Sequence, residues 1–432
     1  MTRITATRNR LFVVVFCCFT APLHAAEDFS FDAAAFQKQA FEWNAFIELD
    51  LEHFSLDQDS AAYLINLADQ TEHSQLDRTT GILEFSGTYK KEDFSAGFIM
   101  HSEVQHDAID DVDDTQLYEA TLTFQPNPGT TIDIGKKSLR WGKGYAWNPV
   151  GFIERPKDPN DPDLSREGYV LASADFIRSR NDPLQTIAFT PVLLPVNDNL
   201  NEDFGEPDHI NAAAKLYLLY RDIDIDFMIL GDGSRSTRYG FDFSMNLDTN
   251  IELHGEWAHI REITKPLTDA AGNTEQASDS ANNYLLGLRY LSENETTYIL
   301  EYFFNGAGYS ENELTNYYQL VHTADETNNT TLLNLARELG DKAYLRRSAG
   351  QQYLYFRVSN KEPFDILYFI PSLTAIGNLE DQSFSVAPEI IYTGFNNLEL
   401  RFRATWLRGD KLTEFGEKQN DSRIEFRARY FF

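Results

Sequence analysis

From Ser422 to Phe432, apolar and charged positions alternate: Ile424, Phe426, Ala428, Tyr430 and Phe432 share one parity, while Arg423, Glu425, Arg427 and Arg429 share the other. Side chains of a strand point alternately to opposite faces, so the segment predicts a strand with one greasy face and one densely charged face. Aromatic-rich alternation of this kind recurs in eighteen runs, the first near residues 43–57 and the last at 422–432. Tyr284, Leu286, Leu288 and Tyr290 form one apolar face, and Tyr298, Leu300, Tyr302 and Phe304 another. Tyr239, Phe241, Phe243 and Met245 repeat the pattern, as do Leu398, Leu400, Phe402, Ala404 and Trp406, with aromatics toward the ends as interfacial girdles require.

The connections between runs carry the topology. Tight reversals such as KKED, NPG, SRND, LDTN, SENE and GFNN take alternate places with long or elaborate segments, among them 58–79, the acidic Asp107–Asp114, 142–169, 264–280 and 309–350. A soluble sandwich has no reason to obey this asymmetry. An all-β transmembrane antiparallel up-and-down barrel does, with short periplasmic turns and long extracellular loops. The count favours about 18 strands, with 16 as the alternative, and an even number brings both termini to the periplasmic side.

Residues 1–26 read as a secretory signal, removed on export: Arg3, Arg8 and Arg10 precede the apolar run LFVVVFCCF, and small residues follow near Ala25 and Ala26. Both cysteines, Cys17 and Cys18, fall in that run, so the remaining chain has no disulfide. Losing three arginines and no acid takes the formal net charge from −30 to −33, which speaks against nucleic acid as a partner. Residues 27–42, containing FDAAAFQKQAF, predict one short periplasmic helix, too little for the plug of an energised receptor. Residues 43–432 are assigned to the barrel.

If the apolar faces meet lipid, their alternates line the lumen. Arg357, Arg401, Arg403, Arg423, Arg427 and Arg429 then face inward from the last strands, and Glu48, Asp50 and Glu52 from the first. Closure sets acidic and basic ladders face to face, either as register-locking ion pairs or with Arg401 and Arg403 left over as a basic wall. Asp224, Asp226, Asp242, Glu252 and Glu256 are placed on the opposite side, giving a transverse field. The loop over 142–169, approached through Arg140 and Trp141, holds Lys143, Tyr145, Trp147, Asn148 and Arg155 among glycines and prolines. Such an aromatic loop of this length is expected to fold into the mouth or lumen as a constriction, or to cap it. The segment 309–350 reads as two short helices broken at Thr327–Asn329.

Two resemblances follow from these residues. Ile424, Phe426, Tyr430 and a terminal Phe432 resemble the C-terminal signal by which Gram-negative outer-membrane barrels are recognised and inserted, implying the insertion machinery and outer-membrane lipid as partners. A strand ending in a basic residue, followed by Trp141-Gly142, Asn148-Pro149 and a Pro/Asp-rich continuation, is similar to porin-like outer-membrane barrels of the alginate-export type. That resemblance implies passive export or uptake of a polar, often anionic, solute or saccharide through an arginine-rich lumen. Its alternative is an outer-membrane component handling lipid-like cargo with a periplasmic or inner-membrane partner, and a surface scaffold or adhesin is a third reading. No cofactor is expected beyond calcium on the acidic stretches Asp107–Asp114 and Asp158–Asp163, which lack EF-hand spacing and read foremost as solvated loops. The scattered histidines form no metal or nucleophile signature, so no enzyme is expected.

Overall fold

The computed structural model describes residues 40–432 except 71, 72, 163 and 182. The signal segment and nearly all of the expected 27–42 helix lie outside the described residues; Ala40–Glu42 is bend and then strand. Eighteen strands follow. The first five are β1 (Phe41–Leu56), β2 (Gln75–Lys91), β3 (Phe94–Asp107), β4 (Asp111–Asn127) and β5 (Thr130–Lys137). Next come β6 (Tyr169–Ser179), β7 (Leu184–Val196), β8 (His209–Tyr220), β9 (Ile223–Leu230), β10 (Arg238–Asp248), β11 (Ile251–Thr268), β12 (Thr274–Leu291) and β13 (Thr296–Asn305). The last are β14 (Gln352–Asn360), β15 (Phe369–Asn378), β16 (Phe384–Phe395), β17 (Leu398–Arg408) and β18 (Asn420–Phe431).

Every strand pairs antiparallel with its chain neighbours, and β1 pairs with both β2 and β18, so the sheet closes into a barrel. Closure satisfies the backbone without an exposed edge, the condition for strands in hydrocarbon. The alternation then fixes the faces. On β1, Trp43, Ile47, Leu49 and Leu51 are exposed on the outer wall, while Glu48 and Asp50 are buried on the inner one. Tyr284, Leu286, Leu288 and Tyr290 of β12 likewise lie on the exposed wall. No helix among the described residues is long and apolar enough to cross a membrane.

Two expected outer loops are mostly strand. β3 and β4 stay paired out to His106 and Asp111, leaving a turn at 108–110, and β11 and β12 pair out to Thr268 and Thr274. Beyond the apolar belt, main-chain pairing continues whatever the side chains, so polarity alone misplaced these boundaries.

The long-loop end carries a helical cap. α1 (Ala61–Asn66) lies in the first long loop; α2 (Glu311–Glu326) and α3 (Thr330–Leu339) lie in the seventh, followed by a π-turn over Gly340–Tyr344. Ser310 and Glu313 form a capping box at the start of α2, and Asn329 caps α3. Leu314, Tyr317 and Leu320 are fully buried against Ala61, Ile65 and Tyr344, each burial contributing about 1.5–3 kcal/mol. The Glu417 carboxylate of the last loop binds the cap together: Ala61 N–H donates to it at 2.6 Å, Leu412 N–H at 2.7 Å, and His322 Nε2 lies at 2.9 Å.

Candidate functional site

The chain leaves β5 at Ser138 and returns at Tyr169, and the intervening loop crosses the lumen. Its main chain docks on carboxylates of the inner wall. Lys143 and Gly144 N–H groups donate to Glu256 Oε1, both at 2.6 Å, and Val150 N–H donates to Oε2 at 3.2 Å. Tyr145 and Ala146 N–H groups donate to Glu301 at 2.5 and 2.9 Å. Within the loop, Trp141 N–H donates to Glu154 at 2.8 Å. Burial pushes the Glu154 carboxyl up from its ordinary value and the Lys157 ammonium down.

Glycine permits this approach. Gly142 has φ +97°, and a Cβ there would lie 2.7 Å from Glu256 Oε1. One at Gly144 would lie 2.3 Å from the Trp147 carbonyl, a clash no side-chain rotation relieves.

Side chains extend the docking to both walls. Lys143 Nζ sits 3.0 Å from Asp226, which lies directly across from Asp242, itself across from Glu256. Tyr145 packs beside the buried His254, whose Nε2 is 2.8 Å from Glu301. Trp147 stacks on Phe303 at 5.0 Å and donates from Nε1 to Ser348 at 3.0 Å. Farther along, Asp161 reaches the opposite wall, 3.1 Å from Arg401 and 3.3 Å from Arg427, and Asp158 pairs with Arg347 at 3.1 Å. These two acids of the 158–163 stretch are thus held by arginines rather than solvated, because the loop carries them to basic side chains.

The expected inner residues therefore divide. Asp226, Asp242 and Glu256 are buried and lie in the row on which the loop docks, so they line no open lumen. Asp224 instead accepts from the Tyr217 hydroxyl, and Glu252 lies 3.7 Å from Arg289. Arg140 remains exposed, Asn148 closes a turn by accepting from Gly151 N–H at 2.9 Å, and Arg155 turns back to Glu167 at 2.6 Å and away from the constriction. Arg401 and Arg403 are not unpaired. Glu389, alone in the otherwise uncharged run Ser385–Tyr392, accepts from Arg403 Nε at 2.9 Å and from Arg357 at 3.3 Å, with Arg401 at 3.8 Å. A buried guanidinium requires such a counter-charge, and Glu389 meets three.

The same arrangement continues over the seam. Glu48 lies across from Arg429 and Asp50 from Arg427. Arg429 donates to Glu48 at 2.6 Å and Arg423 to Glu52 at 3.0 Å, while Arg423 and Arg427 flank Glu425 at 2.9 and 2.8 Å. The two charges are not equally accessible. The side chains of Glu425, Glu48 and Glu389 are 1–2 % exposed, against 23–27 % for Arg423, Arg429 and Arg357. In these three pairs the carboxylate lies beneath the guanidinium, while Arg401, Arg403 and Arg427 are themselves only 5–14 % exposed.

A closed barrel of eighteen antiparallel strands with an apolar outer wall, a charged inner wall and an inward loop has the fold of porin-type transmembrane β-barrels. No protein-family model matches the chain, and no curated protein matches it. Among solved structures it is similar to Pseudomonas aeruginosa OccK5 (OpdH), with a TM-score of 0.52 and 10% identity over 90% of this chain and 98% of that one. It also matches Acinetobacter baumannii OccAB3 at a TM-score of 0.48 and 10% identity, covering 91% and 99% of the two chains. A triple mutant of Rhodopseudomonas blastica porin matches at 0.43 and 10% identity, covering 91% and 100%. The narrower likeness to alginate-export barrels rests on the Trp141-Gly142 and Asn148-Pro149 segment alone.

Proposed function

We propose that the barrel is a passive channel for small polar solutes bearing acceptor groups such as carboxylate, phosphate or clustered hydroxyls. The observation that carries this reading is the row of half-buried guanidiniums Arg357, Arg423, Arg429 and Arg78, set over more deeply buried acids. Paired arginines attract anions less than free ones. They still present N–H donors in a fixed fork, and the carboxylates beneath keep them from repelling one another. A solute passing the loop exchanges water for these donors one after another, in either direction down its gradient. The long loops face the exterior and both termini the periplasm, and neither a cofactor nor catalysis enters the reading.

Reversal potentials in planar bilayers under a salt gradient test it. The wild-type channel is expected to favour anions, and Arg423→Gln with Arg429→Gln to shift the potential toward cations. A folded protein that carries no current, or one that prefers cations, overturns the proposal.

A further inference from the structure

The row of guanidiniums is interrupted at its middle. Arg401 of β17 and Arg427 of β18 lie directly across from one another, and like charges so placed repel unless an acid stands between them. The acid that bridges them comes from neither strand. Asp161 of the lumen loop turns one oxygen, Oδ2, to both: Arg401 Nη1 donates to it at 3.1 Å and Arg427 Nη1 at 3.3 Å. For Arg401 this is the one carboxylate at hydrogen-bonding distance among the described residues, with Glu389 and Glu399 standing off at 3.8 and 4.0 Å. Arg427 also meets Glu425 at 2.8 Å through Nη2, which leaves Nη1 to Asp161. The Nε of each arginine is buried without a hydrogen-bond partner, so the pair holds donors that a single carboxylate oxygen does not fill.

The loop is shaped to present that oxygen. Pro159 and Pro162 flank Asp161 closely and restrict its backbone. Asp161 N–H donates to the Asp158 carbonyl at 3.1 Å, and Asp158 is itself anchored by Arg347 at 3.1 Å. With the carboxylate in place, Arg401 and Arg427 are less exposed than Arg357, Arg423 and Arg429 around them. Both contacts are nevertheless longer than the about 2.7–2.9 Å of a strong charge-assisted bond, whereas Arg429 holds Glu48 at 2.6 Å. A solute carboxylate moving along the row would make the same two contacts. It meets a rung already filled by a tethered copy of its own functional group, and the tether makes that copy a strong competitor. Passage needs a site that an anion can leave as well as enter.

We propose that Asp161 is an internal stand-in for the anionic group of the solute. It occupies the central rung formed by Arg401 and Arg427, yields it to the carboxylate of a passing solute and returns behind it, which sets how tightly the channel holds anions. The inference rests on the passage reading above and adds the residue that tunes it.

Block of chloride current by potassium succinate, with the purified full chain in planar bilayers, tests it. Asp161→Asn should lower the half-blocking concentration roughly tenfold, the scale of one charge-assisted contact, and shift the reversal potential toward anions. Arg401→Gln added to Asp161→Asn should remove the gain. Heat-modifiable gel migration confirms that each variant is folded. An Asp161→Asn channel with the wild-type half-blocking concentration, or a gain that Arg401→Gln leaves intact, overturns the proposal. So does an Asp161→Asn channel that acquires larger conductance levels at unchanged succinate affinity, because the bridge is then only a latch on the loop. A folded wild-type barrel without current would instead refute the passage reading, and this inference with it.

Discussion

Glu256 is the largest single latch on the lumen loop, and Glu256→Ala measures what holds the constriction in place. The substitution removes the acceptor for three main-chain N–H groups, at 2.6, 2.6 and 3.2 Å. A hydrogen bond to a charged acceptor contributes about 1.5–3 kcal/mol. Two of the three share one oxygen and the groups move together, so a total of about 3–5 kcal/mol is more realistic than a simple sum. Such a loss changes the docked-to-undocked ratio by roughly 10²–10⁴. Glu301 and the Trp147 stack still hold the central stretch, so the expected phenotype is frequent excursions rather than permanent release. Single-channel recordings should show new, larger conductance levels with measurable lifetimes. Glu256→Gln, which keeps one acceptor oxygen, should fall between the two. A Glu256→Ala protein that migrates as a folded barrel yet reproduces the wild-type conductance levels and lifetimes would refute the idea that this carboxylate holds the loop.

Other substitutions probe neighbouring parts. Glu389→Gln leaves Arg357, Arg401 and Arg403 without their shared counter-charge and should destabilise the barrel by about 3–5 kcal/mol; an unchanged urea midpoint in detergent would contradict this. Glu417→Ala frees the start of α1, the Leu412 N–H and His322 at once, so trypsin should cut the 309–350 segment sooner, and an unaltered digestion pattern would count against the cap's dependence on it. Because burial lowers Lys157 in the docked loop, the docked state prefers its neutral form. Docking therefore strengthens as pH rises from that lowered value toward 10.5, the ordinary lysine value. Conductance noise should fall over that interval in the wild type, and Lys157→Met should flatten the trend.

The strands were legible because the lipid boundary imposes a strict rule on the chain. Alternation in SRIEFRARYFF places Arg423, Arg427 and Arg429 on one wall without knowledge of any contact, and the first strand's acids follow from closure. What lay outside the pattern was pairing across the lumen. Glu389 is a lone acid in an otherwise uncharged run, a signal that a buried counter-charge stands there, but its three arginines come from two other strands. Asp161 sits in a Pro/Asp segment that looks solvated until the loop's path is known. Gly142 and Gly144 could be read as bends; their closeness to Glu256 depends on where a strand more than a hundred residues later runs.

The seam between β1 and β18 has a consequence for biogenesis. Phe46 faces Phe431 and Glu48 faces Arg429, so the ring cannot shut until nearly the whole polypeptide has been synthesised. Until then β1 has a bare side with no mate, beside acids awaiting arginines that do not yet exist. Such long-range pairing is slow and exposes sticky intermediates, and a chain shortened by one strand would leave an unzipped sheet.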